Sequence, residues 1–191
     1  MRFGSLGERV ELRPAFREAR RWPGSEWIKD HPRVLEKAYD LTRRAVERVY
    51  PVLSRVSPGL AQRLFRLGEQ VAKGYLFNCF MCGQCILHST GMTCPMNCPK
   101  KMRNGPCGGV RPGGYCEVIP EMRCVWTQAW ERSRDMPVYG DEMLLIQPPV
   151  DYRLQGTSAW ANMITGADRA HPPAWREPEG AEETSVSKPQ A

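Results

Sequence analysis

The chain has 191 residues, a net charge of +6 and eight cysteines. That length holds one or two small domains and leaves no room for a TIM barrel, which needs ~200–250 residues. No run approaches the ~18 apolar residues of a membrane span, and the charge is lopsided: residues 1–74 carry sixteen Lys and Arg against nine Asp and Glu, residues 136–191 four against eight.

Residues 1–30 open MRFGSLGERVELRPAFREARR, where charges break every apolar run. A secretory leader needs a continuous apolar stretch and a transit peptide avoids acids; Glu8, Glu11 and Glu18 argue against both. The expectation is a cytoplasmic protein with an irregular N-terminal arm, anchored by Trp22 and Trp27. Residues 31–74 read as a helical hairpin. Asp30 is the expected N-cap of its first helix, with Pro32 in the first turn. Val34, Ala38, Leu41, Ala45 and Val49 recur at helical spacing as its apolar face, and Pro51 comes near its end. The second helix takes Ser57 as N-cap and Pro58 in its first turn. Its face is Leu60, Leu64, Leu67 and Val71, and Gly74 is the expected stop. The basic residues of these helices alternate with acids. They read as solvated faces or a docking surface rather than a nucleic-acid site, since no nucleic-acid motif accompanies them.

Residues 75–170 form the cysteine-rich segment and its C-terminal extension. All eight cysteines lie between Cys79 and Cys124. Their expected reduced compartment favours metal over disulfides. Zinc ribbons use two well-separated Cys-x2-Cys pairs. This chain begins Cys79-x2-Cys82-x2-Cys85, and three thiolates at that spacing can wrap one face of a cubane, as in bacterial ferredoxins. Cys94-x3-Cys98-Pro99 resembles the end of the same run. Cys107, Cys116 and Cys124 complete two sets of four. The expectation is two [4Fe–4S] clusters, with zinc, or one cluster plus zinc, as the alternative. Ferredoxin analogy pairs Cys98 with Cys79, Cys82 and Cys85, leaving Cys94 with Cys107, Cys116 and Cys124. Glycine turns around Cys107 and Cys116 let backbone amides approach sulfur. Lys100, Lys101 and Arg103 could offset cluster charge, although exposed charge is the ordinary reading. His88 is not needed as a ligand.

The expected fold class is a small, loop-rich, metal-stapled cysteine domain with an α-helical N-terminal hairpin and little regular β structure. After Cys124 a short helix places Trp126 and Trp130 on one face, for packing or to screen a metal centre. TSAWANMITG, residues 157–166, reads as a short capped helix. Residues 171–191 are polar and Pro-rich, so disorder is expected. His31, His88 and His171 are scattered without a motif, and no acid–base site is evident. The chain is therefore expected to be non-catalytic by itself.

The stretch FNCFMCGQCIL…CPMNCPKKMRNGPCGGVRPGGYCEV…RCVW resembles the C-terminal cysteine-rich domain of certain methylenetetrahydrofolate reductases. The same domain occurs as a separate small subunit in acetogen-type enzymes. GTSAWAN…GADRAH is similar to the family's closing motif. The resemblance covers about residues 75–171. It implies an iron–sulfur electron-transfer subunit that partners a flavin-containing catalytic subunit and binds no flavin itself. The competing reading is a zinc-stapled interaction module that stabilises a partner oxidoreductase without a redox role.

Overall fold

A computed structural model describes residues 25–170; the expected N-terminal arm up to residue 24, with Trp22, and the expected disordered tail lie outside them. Helices are the regular elements of the described residues: α1 Ser25–Lys29, α2 Pro32–Val56, α3 Pro58–Phe77, α4 Val125–Ser133 and α5 Ala159–Thr165, joined by loops and short 3-10 turns. Among these residues, β structure is limited to the isolated bridges Arg111–Tyr115 and Tyr115–Arg123.

The hairpin forms, with different boundaries and a different inner face. His31, not Asp30, takes the N-cap position of α2 and offers no side-chain cap. Asp30 instead pairs with Arg132 at 3.2 Å. Pro51 lies inside α2, which continues to Val56. Ser57 caps α3 as expected, accepting from the Leu60 amide. Gly74 does not stop α3; Asn78 does, in the left-handed conformation at φ 50°.

The apolar faces read from the spacing lie on the outside. Leu41 is 72% exposed and Val71 73%, and Val34, Val49, Leu60, Leu64 and Leu67 are about half exposed. Each helix carries a second apolar arc, and that arc is buried. On α2 it runs through Leu35, Tyr39, Val46 and Tyr50; on α3 through Ala61 and Phe65. The aromatic residues decide the choice, because a buried ring removes more apolar surface from water than Val.

Two buried glutamates fasten loops to the hairpin. Glu36, 2% exposed, accepts the amides of Val138 and Tyr139 at 3.0 and 2.9 Å. Glu69, 5% exposed, accepts the Ser158 hydroxyl at 2.5 Å and the Trp160 amide at 3.0 Å. Glu69 also pairs with Lys73 at 2.9 Å. The TSAWANMITG helix forms as expected: Ser158 caps α5 and Gly166 follows it with positive φ. Its Trp160 packs against Val46, Tyr50 and Ala61 of the hairpin.

Candidate metal centres

The eight cysteines are unpaired. They line two cavities, four to each. Cys79, Cys82, Cys85 and Cys94 surround the first, beneath the C-terminal end of α3. Cys98, Cys107, Cys116 and Cys124 surround the second, against the start of α4. This arrangement differs from the ferredoxin-based pairing in that Cys94 and Cys98 are exchanged. The two flank the 3-10 turn Pro95–Asn97, whose tight winding turns the Cys94 and Cys98 side chains to different cavities.

Local chemistry builds the first site. Met81, at φ 51°, directs its amide to the Cys79 sulfur at 3.3 Å. Gly83, at φ 76°, closes the next turn; a Cβ there would stand 2.3 Å from the Leu154 carbonyl. The closing segment holds this loop from outside. Asn162 donates to the Gly83 carbonyl at 2.9 Å, the Gly156 amide donates to the Met81 carbonyl at 2.8 Å, and Gln155 donates to the Phe80 carbonyl at 2.6 Å. Burial pushes the Cys79 thiol up to about 11, with the Met81 amide opposing. Cys82 and Cys94 are also raised, by burial first and then in part by neighbouring cysteines. Holding four thiolates here therefore requires positive charge among them.

The second site is built from nearby turns. The Cys116 amide donates to the Met122 carbonyl at 2.9 Å, and the Cys124 amide donates to the Gly114 carbonyl at 2.7 Å. Cys98, Cys116 and Cys124 are buried, whereas Cys107 is exposed and its thiol donates to Glu117 at 3.5 Å. Lys100 pairs with the same carboxylate. Trp126 lines this cavity with its indole N–H on the Met102 carbonyl at 3.1 Å, so the expected screen is Trp126; Trp130, half exposed, is not part of that lining.

The three cations differ. Lys100 is exposed. Lys101 donates to the Met96 carbonyl at 2.6 Å and lies over the Phe80 ring at 3.9 Å. Arg103 is 9% exposed and lines the first cavity, against the ordinary reading of exposed charge. Its Nη1 is buried without an acceptor. His88 lines neither cysteine cavity; it stacks on Tyr39 at 5.0 Å.

Among the described residues, no three His, Cys, Asp or Glu side chains are grouped to hold one metal ion. Each thiol set is spread around its cavity. The open volumes are small, about 20 and 10 Å³, so an inorganic core fits only with the thiols swung outward from these rotamers. The donor chemistry, the raised thiols and the orphaned Arg103 donor fit such a group in the first site. In the second, four thiols and the Trp126 screen fit it.

Residues 59–153 match the family model described as methylene-tetrahydrofolate reductase C terminal. This span belongs to that family. The match starts in α3, upstream of the motifs that carry the sequence resemblance, and ends before the GTSAWAN segment. No curated protein and no solved structure matches the chain. That description associates the matched span with folate-dependent one-carbon metabolism. No described helix is long and apolar enough to cross a membrane.

Two buried glutamates, Glu36 and Glu69, escaped the sequence reading. Their signal was positional: both fall on the arcs that carry Leu35, Tyr39, Ala61 and Phe65, where an unpaired carboxylate would be costly.

Proposed function

We propose that the chain is a two-cluster iron–sulfur subunit that exchanges electrons with a flavin-containing methylenetetrahydrofolate reductase. The observation that carries this reading is the division of eight free cysteines into two cavities of four. Bound clusters would supply one-electron storage and transfer. The chain's own residues do the rest. Cys79, Cys82, Cys85 and Cys94 hold one cluster, and Cys98, Cys107, Cys116 and Cys124 the other. The buried loops exclude water from the first, and Trp126 covers the second. Cys94 and Cys98 are four residues apart, so their Cα atoms are separated by at most about 14 Å. Two centres joined by so short a tether sit close enough to act as a relay.

The hairpin is the docking surface for the catalytic subunit. Its outward stripes, Val34 to Val56 on α2 and Leu60 to Val71 on α3, leave apolar surface in water. Arg33, Lys37, Arg44, Arg48, Arg55, Arg63 and Arg66 are exposed on these helices, against Glu47 as the exposed acid. A second copy would bring like charges together. A protein face with an apolar centre and an acidic rim fits better.

Iron and acid-labile sulfide analysis of anaerobically purified protein tests the reading. About eight of each per chain are expected for two cubane clusters. A colourless protein holding only zinc would replace the proposal with the zinc-stapled interaction module. Co-expression with the flavoprotein should yield a complex whose flavin is reduced by reduced clusters.

A further inference from the structure

Arg103 is a permanent cation in an interior position. It is 9% exposed. Its Nε donates to the Pro148 carbonyl at 2.7 Å, and its Nη2 makes a long bond to the Gln84 carbonyl at 3.4 Å. Its Nη1 is shielded from solvent and has no acceptor. A guanidinium cannot shed its proton to escape this cost, and a buried cation with an unmet donor is unfavourable unless something anionic stands beside it. The anionic candidates around it are Cys82, Cys85 and Cys94, three of the four thiols of the first cavity. Arg103 also borders a surface groove of about 210 Å³ beside Trp126 and Trp130.

We infer that Arg103 is a positioning residue for the first cluster: its Nη1 donates a hydrogen bond to a sulfur of that cluster, and its charge raises the cluster's reduction potential above that of the second. Reduction adds one electron and one negative charge to the cluster, and a fixed cation nearby stabilises the reduced form. Among the described residues, the second cavity has no buried cation to match Arg103. Lys100, which lines that cavity and interacts with the Cys107 thiol, is exposed and already paired with Glu117. The asymmetry sets a direction: an electron arriving at the second site, near exposed Cys107, passes downhill to the first.

This inference rests on the cluster reading, and the two fail separately. Iron and sulfide analysis of the wild-type protein decides the clusters. Given two clusters, a potentiometric titration followed by electron paramagnetic resonance decides Arg103. Arg103→Gln should lower one midpoint by at least about 59 mV, a tenfold change for a one-electron couple, and leave the other in place. Arg103→Lys keeps the charge and loses the fork, so it should recover part of the shift. Equal movement of both midpoints, or no movement, overturns the inference. Should Arg103→Gln fail to assemble, wild-type protein labelled with 15N-arginine supplies the answer. Pulsed resonance should find a guanidinium nitrogen coupled to the higher-potential cluster. Absence of arginine coupling at that cluster, or coupling at the lower-potential one, overturns it equally.

Discussion

Distant parts of the chain hold the first cysteine set, and near neighbours hold the second. The loop carrying Cys79, Cys82 and Cys85 is bonded by Gln155, Gly156 and Asn162, more than seventy residues away. Glu69 of α3 fastens those residues through the cap of α5. Around the second set, residues 111–124 bond to one another. The first site is thus a product of the whole fold, while the second is a series of turns whose shape depends more directly on what the thiols hold. Disturbing the hairpin should damage one site and spare the other.

The largest effect tests the division itself. Cys94→Ala should remove about half of the iron, leaving a protein with the spectrum of the second cluster; Cys98→Ala should leave the first. If the variants lose the same cluster signal, or the reverse ones, the two-cavity assignment fails.

Next come residues that hold only the first site. Glu69→Gln removes the charge partner of Lys73, whose side chain is 12% exposed, and weakens the α5 cap. Breaking a buried pair from one side costs roughly 3 kcal/mol or more. Gly83→Ala meets both a positive φ and the Leu154 carbonyl, so a loss of roughly 3 kcal/mol is expected. Gly108→Ala, with φ 81° and open space around it, should cost about 1 kcal/mol. Thermal unfolding and iron release, followed anaerobically, measure all three. Comparable losses at Gly83 and Gly108 would erase the contrast between the sites.

A smaller step is Asn162→Ala, which removes bonds to the Gly83 carbonyl and to Thr157 Oγ1 at 2.7 Å. A loss of about 1–2 kcal/mol is expected, with iron lost from the first site before the second. Iron lost from both together would mean that α5 supports the domain as a whole.

Much of this was legible in the sequence, and the misses share a cause. The capped helices at Ser57 and Ser158 were readable because their signals are local: a hydroxyl, then helix-forming residues. The cysteine segment was readable as one region because all eight thiols lie between Cys79 and Cys124. The hairpin's inner face was not. Both arcs of α2 are apolar, and periodicity cannot rank two stripes when one faces solvent in the isolated chain. Spacing alone does not reveal the 3-10 turn that sends Cys94 and Cys98 to different cavities. Arg103 and the two glutamates were hidden for another reason: burial of a charge is decided by partners far away in the chain.

The smallest effect concerns pH and again belongs to the side of the molecule under the hairpin. His88 stacks on Tyr39 and meets Tyr139 edge-on at 5.4 Å, with Nε2 3.4 Å from Glu142. Burial lowers its pKa from the ordinary 6.5; Glu142 pulls the other way, while Arg43 and Lys73 add to the lowering. The folded chain therefore binds this proton less readily than the unfolded one. Stability from His88 is complete above about pH 6.5 and is lost as the pH falls below that value toward the lower folded pKa. The Nδ1 atom has no partner, so His88→Phe forfeits little: it keeps a ring against Tyr39 and should change stability at pH 7.5 by about 1 kcal/mol or less. Between pH 7 and 5 the variant should lose less stability than the wild type. Parallel stability curves for the two proteins would mean that the imidazole titrates as freely in the fold as in the unfolded chain, and that the aromatic layer under α2 does not keep it dry.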